Sequence, residues 1–435
     1  MSEEKLVPKL RFIDESDNWN LFKLGEVLDK KGYIRGPFGS ALKRGEMKKE
    51  GIPVYEQQHA IYNNRIFRYY IDNDKFQELK RFQVFPNDLI VSCSGTIGKT
   101  SLITNNDEKG IISQALLILR SNSNIINPKF LKYFLETNSG YNSLISSAGG
   151  SSQVNIAKKQ IILDIPLLIP NLETQSKIIS FLDLINNKIE LLEEKHKYYQ
   201  DFKKYLMQKL FAQELRFNFN DAWKTVKIKD IFDERSEKGF LDLELLSVTL
   251  NDGVIKRSEI ESKDNSNENK SNYKHVLPGD IVYNSMRMWQ GASGVSPYEG
   301  IVSPAYTILI PKNVYSKYFG YYFKTNEMVY QFKKYSQGLT SDTWNLKYPL
   351  ISEIKIKIPS IEEQKEITNV FEIMDEKIKI LQNNIDELTT FKKGLLQQMF
   401  VVRINWRCNF KLAKSPSFNK HLLILKNKII FIIIK

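Results

Sequence analysis

The fold is decided by a stretch that reads IPNLETQSKIISFLDLINNKIELLEEKHKYYQDFKKYLMQKLF from Ile169 to Phe211 and recurs as IPSIEEQKEITNVFEIMDEKIKILQNNIDELTTFKKGLLQQMF from Ile358 to Phe400. The two copies align without a gap at an offset of 189 residues. Both begin with Ile-Pro, and both end in Phe-Lys-Lys-x-Leu-x-Gln-x-x-Phe. A repeat of this length indicates that the chain contains two copies of one structural unit.

Each copy has the pattern of a long helix with a coiled-coil seam. Apolar residues recur every seven positions, and a second set follows them four positions later. The first set is Ile178, Ile185, Leu192, Tyr199 and Leu206 in the first copy and Ile367, Met374, Leu381, Leu388 and Leu395 in the second. The second set is mostly apolar but includes His196, Lys203 and Lys392. About 38 residues at 1.5 Å each predict a rod of roughly 57 Å.

The two rods differ at their starts. Ser360-x-x-Glu363 fits a capping box in the second copy. The first copy has Thr174 at the position of Glu363, which predicts a weaker or a different cap. Because the duplication has a fixed spacing, we expect the rods to pair with each other. The alternative is that each is an amphipathic helix buried in an ordinary core.

The segments outside the rods repeat as well. Trp19 matches Trp223, and Pro86-Asn87-Asp88 matches Pro278-Gly279-Asp280. Short apolar runs predict strands at 88–92, 115–120, 281–283 and 305–310, and helices are predicted at 128–135 and 314–323. These patterns predict a tandem duplication of mixed α/β (α+β) domains. The predicted boundaries are 1–168 for the first globular domain, 169–214 for the first rod, 215–357 for the second globular domain, 358–400 for the second rod and 401–435 for a tail.

Composition limits the class of protein. Two cysteines among 435 residues cannot form a disulfide framework, which favours a reducing, cytoplasmic location. The N-terminal residues lack the apolar core of a signal peptide, and no stretch approaches 18 apolar residues, so we expect no membrane span. The net charge of +13 suggests a polyanionic partner. Eight of the basic residues lie in 401–435, which has no acidic residue, so charge alone does not establish nucleic-acid binding.

The tail at 401–435 departs from the rest of the chain. It reads VVRINWRCNFKLAKSPSFNKHLLILKNKIIFIIIK and carries no helical seam. Two origins are open: readthrough or a shifted reading frame past a recombined or truncated end, and a tail that binds a membrane or a partner.

Polar and aromatic residues in the loops of both globular domains are the candidate DNA contacts. Glycine lets a backbone approach a phosphate, while arginine and glutamine carry the donor and acceptor pairs that read base edges. The candidates are Phe38, Ser40, Lys43, Gln57, Thr96, Lys99, Ser151, Ser152 and Gln153 in the first domain and Arg287, Trp289, Gln290, Ser336 and Ser341 in the second. The alternative is that these are ordinary surface loops.

Motifs for catalysis are missing. The run from Ser94 to Thr100 resembles a phosphate-binding loop, but the position that needs the first glycine of that motif is Cys93. Glu353-Ile354-Lys355 resembles the end of a nuclease motif, yet the nearest suitable aspartate, Asp280, lies 73 residues earlier. The four histidines are not spaced as metal ligands. No tetrapeptide of the kind used by amino-methyltransferases is present. The sequence therefore predicts no catalytic and no metal-binding residue.

The repeated rods and the loop motifs of the two globular domains together resemble the DNA-specificity (S) subunit of a type I restriction–modification system, over about residues 5–400. The matching features are Pro170 with Gln175 and Pro359 with Gln364 at the rod starts, the common rod ending, Gly36-Pro37-Phe38-Gly39-Ser40, Arg287-Met288-Trp289-Gln290, and 300–306 (GIVSPAY). The resemblance implies that each globular domain is a target-recognition domain for half of a split DNA site. It also implies antiparallel rods that form a spacer and bind two methyltransferase (modification) subunits, which are joined by restriction (translocase) subunits.

The resemblance further implies that this chain is not itself an enzyme. S-adenosylmethionine, ATP and Mg would belong to the partner subunits, and no cofactor would be bound here. A tandem repeat with antiparallel rods gives a pseudo-twofold body with two readers on a rigid spacer. Because the loops of the two halves differ, we expect an asymmetric bipartite target in double-stranded DNA. A coiled-coil scaffold protein and a stand-alone DNA-modifying enzyme are the alternatives.

Overall fold

The computed structural model describes residues 8–12, 19–38, 41–147, 154–250, 252–261, 266, 269–340 and 343–400. The chain divides into two compact units, of which unit 1 comprises Met1–Leu191 with Ile385–Lys435 and unit 2 comprises Leu192–Asn384. Each unit therefore contains one globular part and pieces of two long helices. The predicted mixed α/β class is confirmed in both.

Unit 1 is built around an antiparallel four-stranded sheet in the order β2-β8-β5-β6. Its strands in chain order are β1 (Asn20–Lys23), β2 (Leu28–Arg35), β3 (Ile52–Tyr55), β4 (Tyr70–Ile71), β5 (Asp88–Ser92), β6 (Thr100–Leu102), β7 (Ile111–Ile112), β8 (Leu116–Ser121), β9 (Ile145–Ser147), β10 (Val154–Ile156) and β11 (Pro166–Ile169). Strand β3 pairs with β4 and with β7, β1 pairs with β11, and β9 pairs with β10. The short helices are α1 (Gln57–Ile61), α2 (Asn73–Glu78), α3 (Pro128–Glu136), α4 (Asn138–Leu144) and α5 (Lys159–Leu163).

Unit 2 repeats this plan. Its four-stranded antiparallel sheet has the order β13-β20-β17-β18, and three two-stranded pairs join β14 to β15, β16 to β19 and β12 to β21. The strands are β12 (Lys224–Lys227), β13 (Phe232–Glu234), β14 (Leu246–Thr249), β15 (Gly253–Lys256), β16 (Lys274–Val276), β17 (Ile281–Asn284), β18 (Ser293–Val295), β19 (Gly300–Val302), β20 (Tyr306–Pro311) and β21 (Lys355–Ile358). The short helices are α7 (Ile228–Ile231), α8 (Ser316–Tyr322), α9 (Asn326–Tyr335) and α10 (Tyr348–Ile351). The predicted duplication is thus visible in the sheet order.

The two rods are the helices α6 (Leu172–Phe211) and α11 (Ile361–Phe400), each of 40 residues. In unit 1, residues Ile178–Ile185 of α6 share a hydrophobic core with Leu395–Phe400 of α11. In unit 2, Phe211 of α6 shares a core with Ile367 of α11. In each unit the start of one helix packs with the end of the other, which is the pairing of antiparallel helices.

The predicted seam residues lie on the buried and half-buried side of the rods. Those that are buried are Ile178, Ile185, Leu192, Ile367, Met374, Leu381 and Leu395, and those that are half-buried are Tyr199, Leu206 and Leu388. The polar seam residues His196, Lys203 and Lys392 are half-buried. Burial along one face over the whole helix length is what a seam requires.

The first turn of each rod is fixed by a buried glutamine that the sequence repeats. The Gln175 side chain accepts from the Asn127 backbone N–H at 2.8 Å and donates to the Pro170 carbonyl at 3.0 Å. The Gln364 side chain accepts from the Tyr315 backbone N–H at 2.9 Å and donates to the Pro359 carbonyl at 3.0 Å. Each glutamine therefore joins the rod to the segment that precedes a short helix of its own domain.

The two rods begin with different caps, and the capping box predicted for the second rod is incomplete. Asn171 Oδ1 accepts from the Thr174 backbone N–H at 2.8 Å, which is a normal hydrogen-bond length, so a side chain caps the first rod. Ser360 Oγ accepts from the Glu363 N–H at 3.4 Å, but the Glu363 carboxylate does not return to the cap. It instead accepts two hydrogen bonds of 2.8 Å from Arg216 and one from the Trp223 indole at 3.2 Å. The predicted capping box is therefore only half formed, because a half-buried arginine pairs with the buried glutamate.

Candidate nucleic-acid interface

In each unit, a tight turn follows one of the two central strands of the four-stranded sheet, β5 in unit 1 and β17 in unit 2. These turns carry several of the candidate contacts. In unit 1 the turn after β5 is tied to the sheet by the Cys93 N–H, which donates to the Ala115 carbonyl at 2.8 Å. In unit 2 the turn after β17 is tied in the same way by the Ser285 N–H, which donates to the Ala305 carbonyl at 3.2 Å. One backbone plan therefore presents two different sets of side chains.

Both turns have a buried apolar anchor and a glycine in the left-handed region. Ile97 and Met288 are buried, and they fix the turns onto the sheets. Gly98 and Gly291 follow with φ of +75° and +85°. Only glycine takes this conformation at little cost. The side chains on either side of the anchors, Thr96 and Lys99 in unit 1 and Arg287 and Gln290 in unit 2, are exposed.

Gln57 supports the turn of unit 1. It begins α1, and its side-chain amide donates to the backbone carbonyl of Ser94 and, at 3.5 Å, to that of Thr96. The donors of this amide are therefore occupied within the protein. The sequence identified Gln57 only as a candidate DNA contact and did not predict this supporting role.

An open depression of about 300 Å³ lies beside the turn of unit 1, and Gln57 is its one lining residue that the sequence analysis identified as a candidate contact. It is lined by Glu56, Gln57, Gln58, Ile61, Tyr62, Arg68, Ser113 and Ala115. The Tyr62 side chain is 72% exposed at its edge. Arg68 donates twice to the Glu56 carboxylate, at 2.8 and 3.1 Å, which raises the pKa of the arginine further. The i, i+4 spacing of Gln58 and Tyr62 on one helix face is the signal that could have identified this surface.

Two further candidates of unit 1 lie on loops. The Phe38 ring is 62% exposed, and the Arg35 guanidinium lies 5.8 Å from its centroid. Lys43 is exposed, and its backbone N–H donates to the Glu46 carboxylate at 2.9 Å. Ser40, Ser151, Ser152 and Gln153 lie outside the described residues, and so does Ser341 of the second domain. The 401–435 tail also lies outside them.

The turn of unit 2 is braced by aromatic rings. The Trp289 indole donates to the Met286 carbonyl at 3.1 Å and meets the Trp344 ring edge-on at 5.3 Å. The Lys333 ammonium lies 5.6 Å from the Trp344 ring centroid. Ser336 directly follows α9, and its hydroxyl donates to the Phe332 carbonyl at 2.7 Å. Trp289 and Ser336 therefore shape the surface from which Arg287 and Gln290 project.

The exposed cationic candidates differ in their ion pairing from the arginines that lie beside the sheets. Within the described part of the chain, Lys43, Lys99 and Arg287 form no ion pair with a carboxylate. In contrast, Arg120 pairs with Asp88 at 2.7 Å and Arg235 pairs with Asp280 at 2.8 Å, which raises the pKa of both arginines. Unpaired cations on exposed turns are free to meet phosphates or bases.

Ion pairs also explain two features of the sequence. Asp88 and Asp280 are the matched aspartates of the repeated proline motifs, and they repeat because each neutralises a half-buried or buried arginine. Glu353, which resembled a nuclease residue, accepts from Lys227 and Lys229 at 2.6 Å, and these bonds lower its pKa to about 2. All three carboxylates are thus engaged in ion pairs.

Among the described residues, no group of three or more His, Cys, Asp or Glu side chains is placed to hold a metal ion. No helix in that part of the chain is long and apolar enough to cross a membrane.

Comparisons with known proteins agree on one family. A profile described as "Type I restriction modification DNA specificity domain" matches residues 16–198 and 220–390. The MjaVIII specificity subunit of a type I restriction enzyme from Methanocaldococcus jannaschii is 23% identical over 424 residues, which cover 89% of this chain and 93% of that protein. Similar folds occur in the crystal structure of a type I S subunit from M. genitalium, with a TM-score of 0.54 and 15% identity over 91% of this chain and 99% of that one. A chain from a structure of type I system assembly and conformational transition has a TM-score of 0.54 and 14% identity over the same shares.

Proposed function

We infer that this chain, which belongs to the type I restriction–modification DNA-specificity family, reads two different half-sites with its two turns and directs modification subunits to them. The family assigns it a sequence-specificity role in DNA recognition. The observation that carries the finer inference is the contrast between the turns. They share a backbone plan, an apolar anchor and a left-handed glycine, yet they present Thr96 and Lys99 in one unit and Arg287 and Gln290 in the other. Different readers on one frame select an asymmetric target in double-stranded DNA.

The exposed apolar residues of the rods support binding of methyltransferase subunits. In unit 1, Leu184 and Leu191 of α6 are 68% and 61% exposed. In unit 2, the equivalent Ile373 and Ile380 of α11 are 55% and 50% exposed. Both pairs have heptad spacing, so each unit presents one apolar stripe that a partner helix can cover. Two equivalent stripes support two bound modification subunits, with restriction subunits added to that complex.

We further propose that the chemistry lies in those partners. The two carboxylates that resembled catalytic groups, Asp280 and Glu353, are held by arginine and lysine side chains. S-adenosylmethionine for methyl transfer, and ATP with Mg for translocation and cleavage, would then be bound by the partner subunits. The family match does not favour a scaffold without DNA recognition or a stand-alone enzyme.

The test is assembly and activity with the methyltransferase subunit of the same system. Native mass spectrometry should show one specificity chain with two methyltransferase subunits. Leu191→Asp and Ile380→Asp should each reduce this to one bound subunit, while the exposed Glu190→Asp should bind two. The chain alone should transfer no methyl group to DNA, and the complex should do so. Methylation by the isolated chain, or full assembly of the Leu191→Asp, Ile380→Asp double variant, would overturn this proposal.

A further inference from the structure

Arg68 lies at the edge of the open depression in unit 1 and next to the turn after β5. The depression and the turn share Gln57, which lines the depression and donates to the Ser94 carbonyl of the turn. The Arg68 side chain is 61% accessible. An exposed arginine therefore stands beside the candidate DNA contacts Thr96 and Lys99, although the sequence analysis did not select it.

The guanidinium group of Arg68 is held in one orientation. Its Nη2 and Nε atoms donate to the two carboxylate oxygens of Glu56, at 2.8 and 3.1 Å. The Glu56 side chain is half-buried, and one of its oxygens also accepts from the Gln58 amide at 3.4 Å. The Tyr69 ring centroid lies 5.5 Å from the guanidinium carbon. Two parallel hydrogen bonds to a half-buried carboxylate leave the planar group little freedom to rotate.

This pairing leaves a second pair of donors at the end of the side chain. A guanidinium group carries five N–H bonds in a rigid plane, and the Glu56 carboxylate accepts from only two of them. One N–H of Nη1 and the second N–H of Nη2 run parallel to each other and point away from the rest of the side chain. Within the described part of the chain, no residue accepts a hydrogen bond from either.

Arg65, three residues earlier, shows how an arginine of the same segment serves the fold. It donates to both carboxylate oxygens of Asp107, to the Ser101 hydroxyl and to three backbone carbonyls, and its side chain is only 24% accessible. Arg68 has none of these further bonds, and an exposed ion pair contributes little to stability. The fold alone therefore does not account for the orientation of Arg68.

We propose that Arg68, positioned by Glu56, reads a guanine in the half-site that unit 1 binds. This assignment rests on the proposed function and deepens it. Guanine presents O6 and N7 as neighbouring acceptors in the major groove, and an arginine that donates to both is the commonest specific contact with a base. A phosphate is a poorer partner, because the Glu56 carboxylate beside Arg68 would repel it. Arg68 is thus a specificity-determining residue, and Glu56 is a positioning residue.

The test measures binding of the full chain, in complex with its methyltransferase subunit, to duplexes in which each guanine of the target is replaced in turn by 7-deazaguanine. This analogue keeps the Watson–Crick edge of guanine but lacks the N7 acceptor. At the guanine that Arg68 reads, the analogue should weaken binding of the unsubstituted chain about tenfold, because one charge-assisted hydrogen bond is lost. Arg68→Met should abolish this loss at that one guanine, and discrimination against other base pairs there should fall about 5- to 150-fold.

Three further variants separate a base contact from a phosphate contact. Arg68→Lys keeps the charge but not the paired donors, so discrimination should fall nearly as far as in Arg68→Met while affinity for random DNA stays unchanged. Arg44 is the matched control, since it is also exposed and donates to the Tyr69 hydroxyl at 3.3 Å; Arg44→Met should leave the response to every analogue unchanged. Glu56→Gln should weaken the same discrimination and steepen the slope of log affinity against log salt by about 1, because the released cation can then meet a phosphate.

The assignment is overturned if Arg68→Met responds to 7-deazaguanine like the unsubstituted chain at every guanine. Equal loss of affinity on target and random DNA, or full rescue by Arg68→Lys, would also overturn it, because either result marks a phosphate contact. A target with no guanine in the half-site that changes when the globular domain of unit 1 is exchanged overturns the assignment and leaves the proposed function intact. Binding of the unsubstituted complex to all sequences alike would overturn the proposed function, and the guanine assignment with it.

Discussion

Replacing Arg287 by alanine should change which DNA the complex selects without changing how stably the chain folds. The Arg287 side chain is exposed and forms no ion pair within the described residues, so its loss should alter the free energy of unfolding by no more than about 0.5 kcal/mol. A guanidinium that reads guanine through two hydrogen bonds contributes about 1–3 kcal/mol of discrimination. The preference for the correct base at one position of one half-site should therefore fall about 5- to 150-fold.

Arg235 of the same unit is the matched control. Its Nε and Nη2 atoms lie 2.8 and 3.2 Å from the Asp280 carboxylate, and the two side chains are only 10% and 3% accessible. Arg235→Ala leaves a buried carboxylate without its partner, which costs about 3–5 kcal/mol. This variant should lose stability in urea unfolding and lose binding to every sequence alike.

The assay is competition binding of the assembled complex on a set of duplexes that differ at single positions of the target. Arg287→Ala should relax one position and leave the other half-site as selective as before. Equal loss of affinity on target and random DNA, or a loss of stability as large as that of Arg235→Ala, would refute base reading by Arg287.

Three further outcomes are expected. Lys99→Ala should weaken target and random DNA alike and lower the slope of log affinity against log salt by about 1, because a phosphate contact carries no sequence information; a change in base preference would contradict this. Gln364→Leu should lower the free energy of unfolding by about 2–4 kcal/mol in urea titration, because it removes the bonds to Tyr315 and Pro359 and leaves a half-buried N–H and a buried carbonyl unpaired. The same substitution at the exposed Lys365 should leave this free energy unchanged. Glu353 has a pKa lowered from 4.5 to about 2, so its contribution to stability should be full above pH 4.5 and be lost as pH falls toward 2; Glu353→Gln should remove that part of the acid dependence, and an unchanged acid titration would speak against the two lysine pairs.

The sequence was sufficient for features that repeat or have a period. The rods, their seam and the matched strands around Asp88 and Asp280 could be predicted because periodicity and duplication are visible along the chain. The turn after β5 could be located because Gly95 and Gly98 interrupt an apolar strand pattern. Helices, strands and turns of this kind depend mainly on residues that are close to one another in the sequence.

Features that depend on distant partners could not be predicted. Glu363 fits a capping box, but Arg216, 147 residues away, takes its carboxylate. Gln57 has the side chain of a base reader, yet its donors are used by the turn 37 residues later. Lys203 and Lys392 can be placed on the rods from the sequence. Nothing in the sequence shows that the rings of Tyr321 and Tyr133 lie beside them. In each case the outcome is decided by which groups the fold brings within hydrogen-bonding distance.

The measurement that tests the account most directly is a methylation map of DNA from cells that express this chain with its methyltransferase subunit. Single-molecule sequencing should find one asymmetric motif made of two different half-sites, separated by an unspecified gap of fixed length. Exchange of one globular domain should then change one half-site only. A complex that forms but methylates without sequence preference, or at a single continuous site, would contradict the central claim that two different turns on one repeated frame read two half-sites.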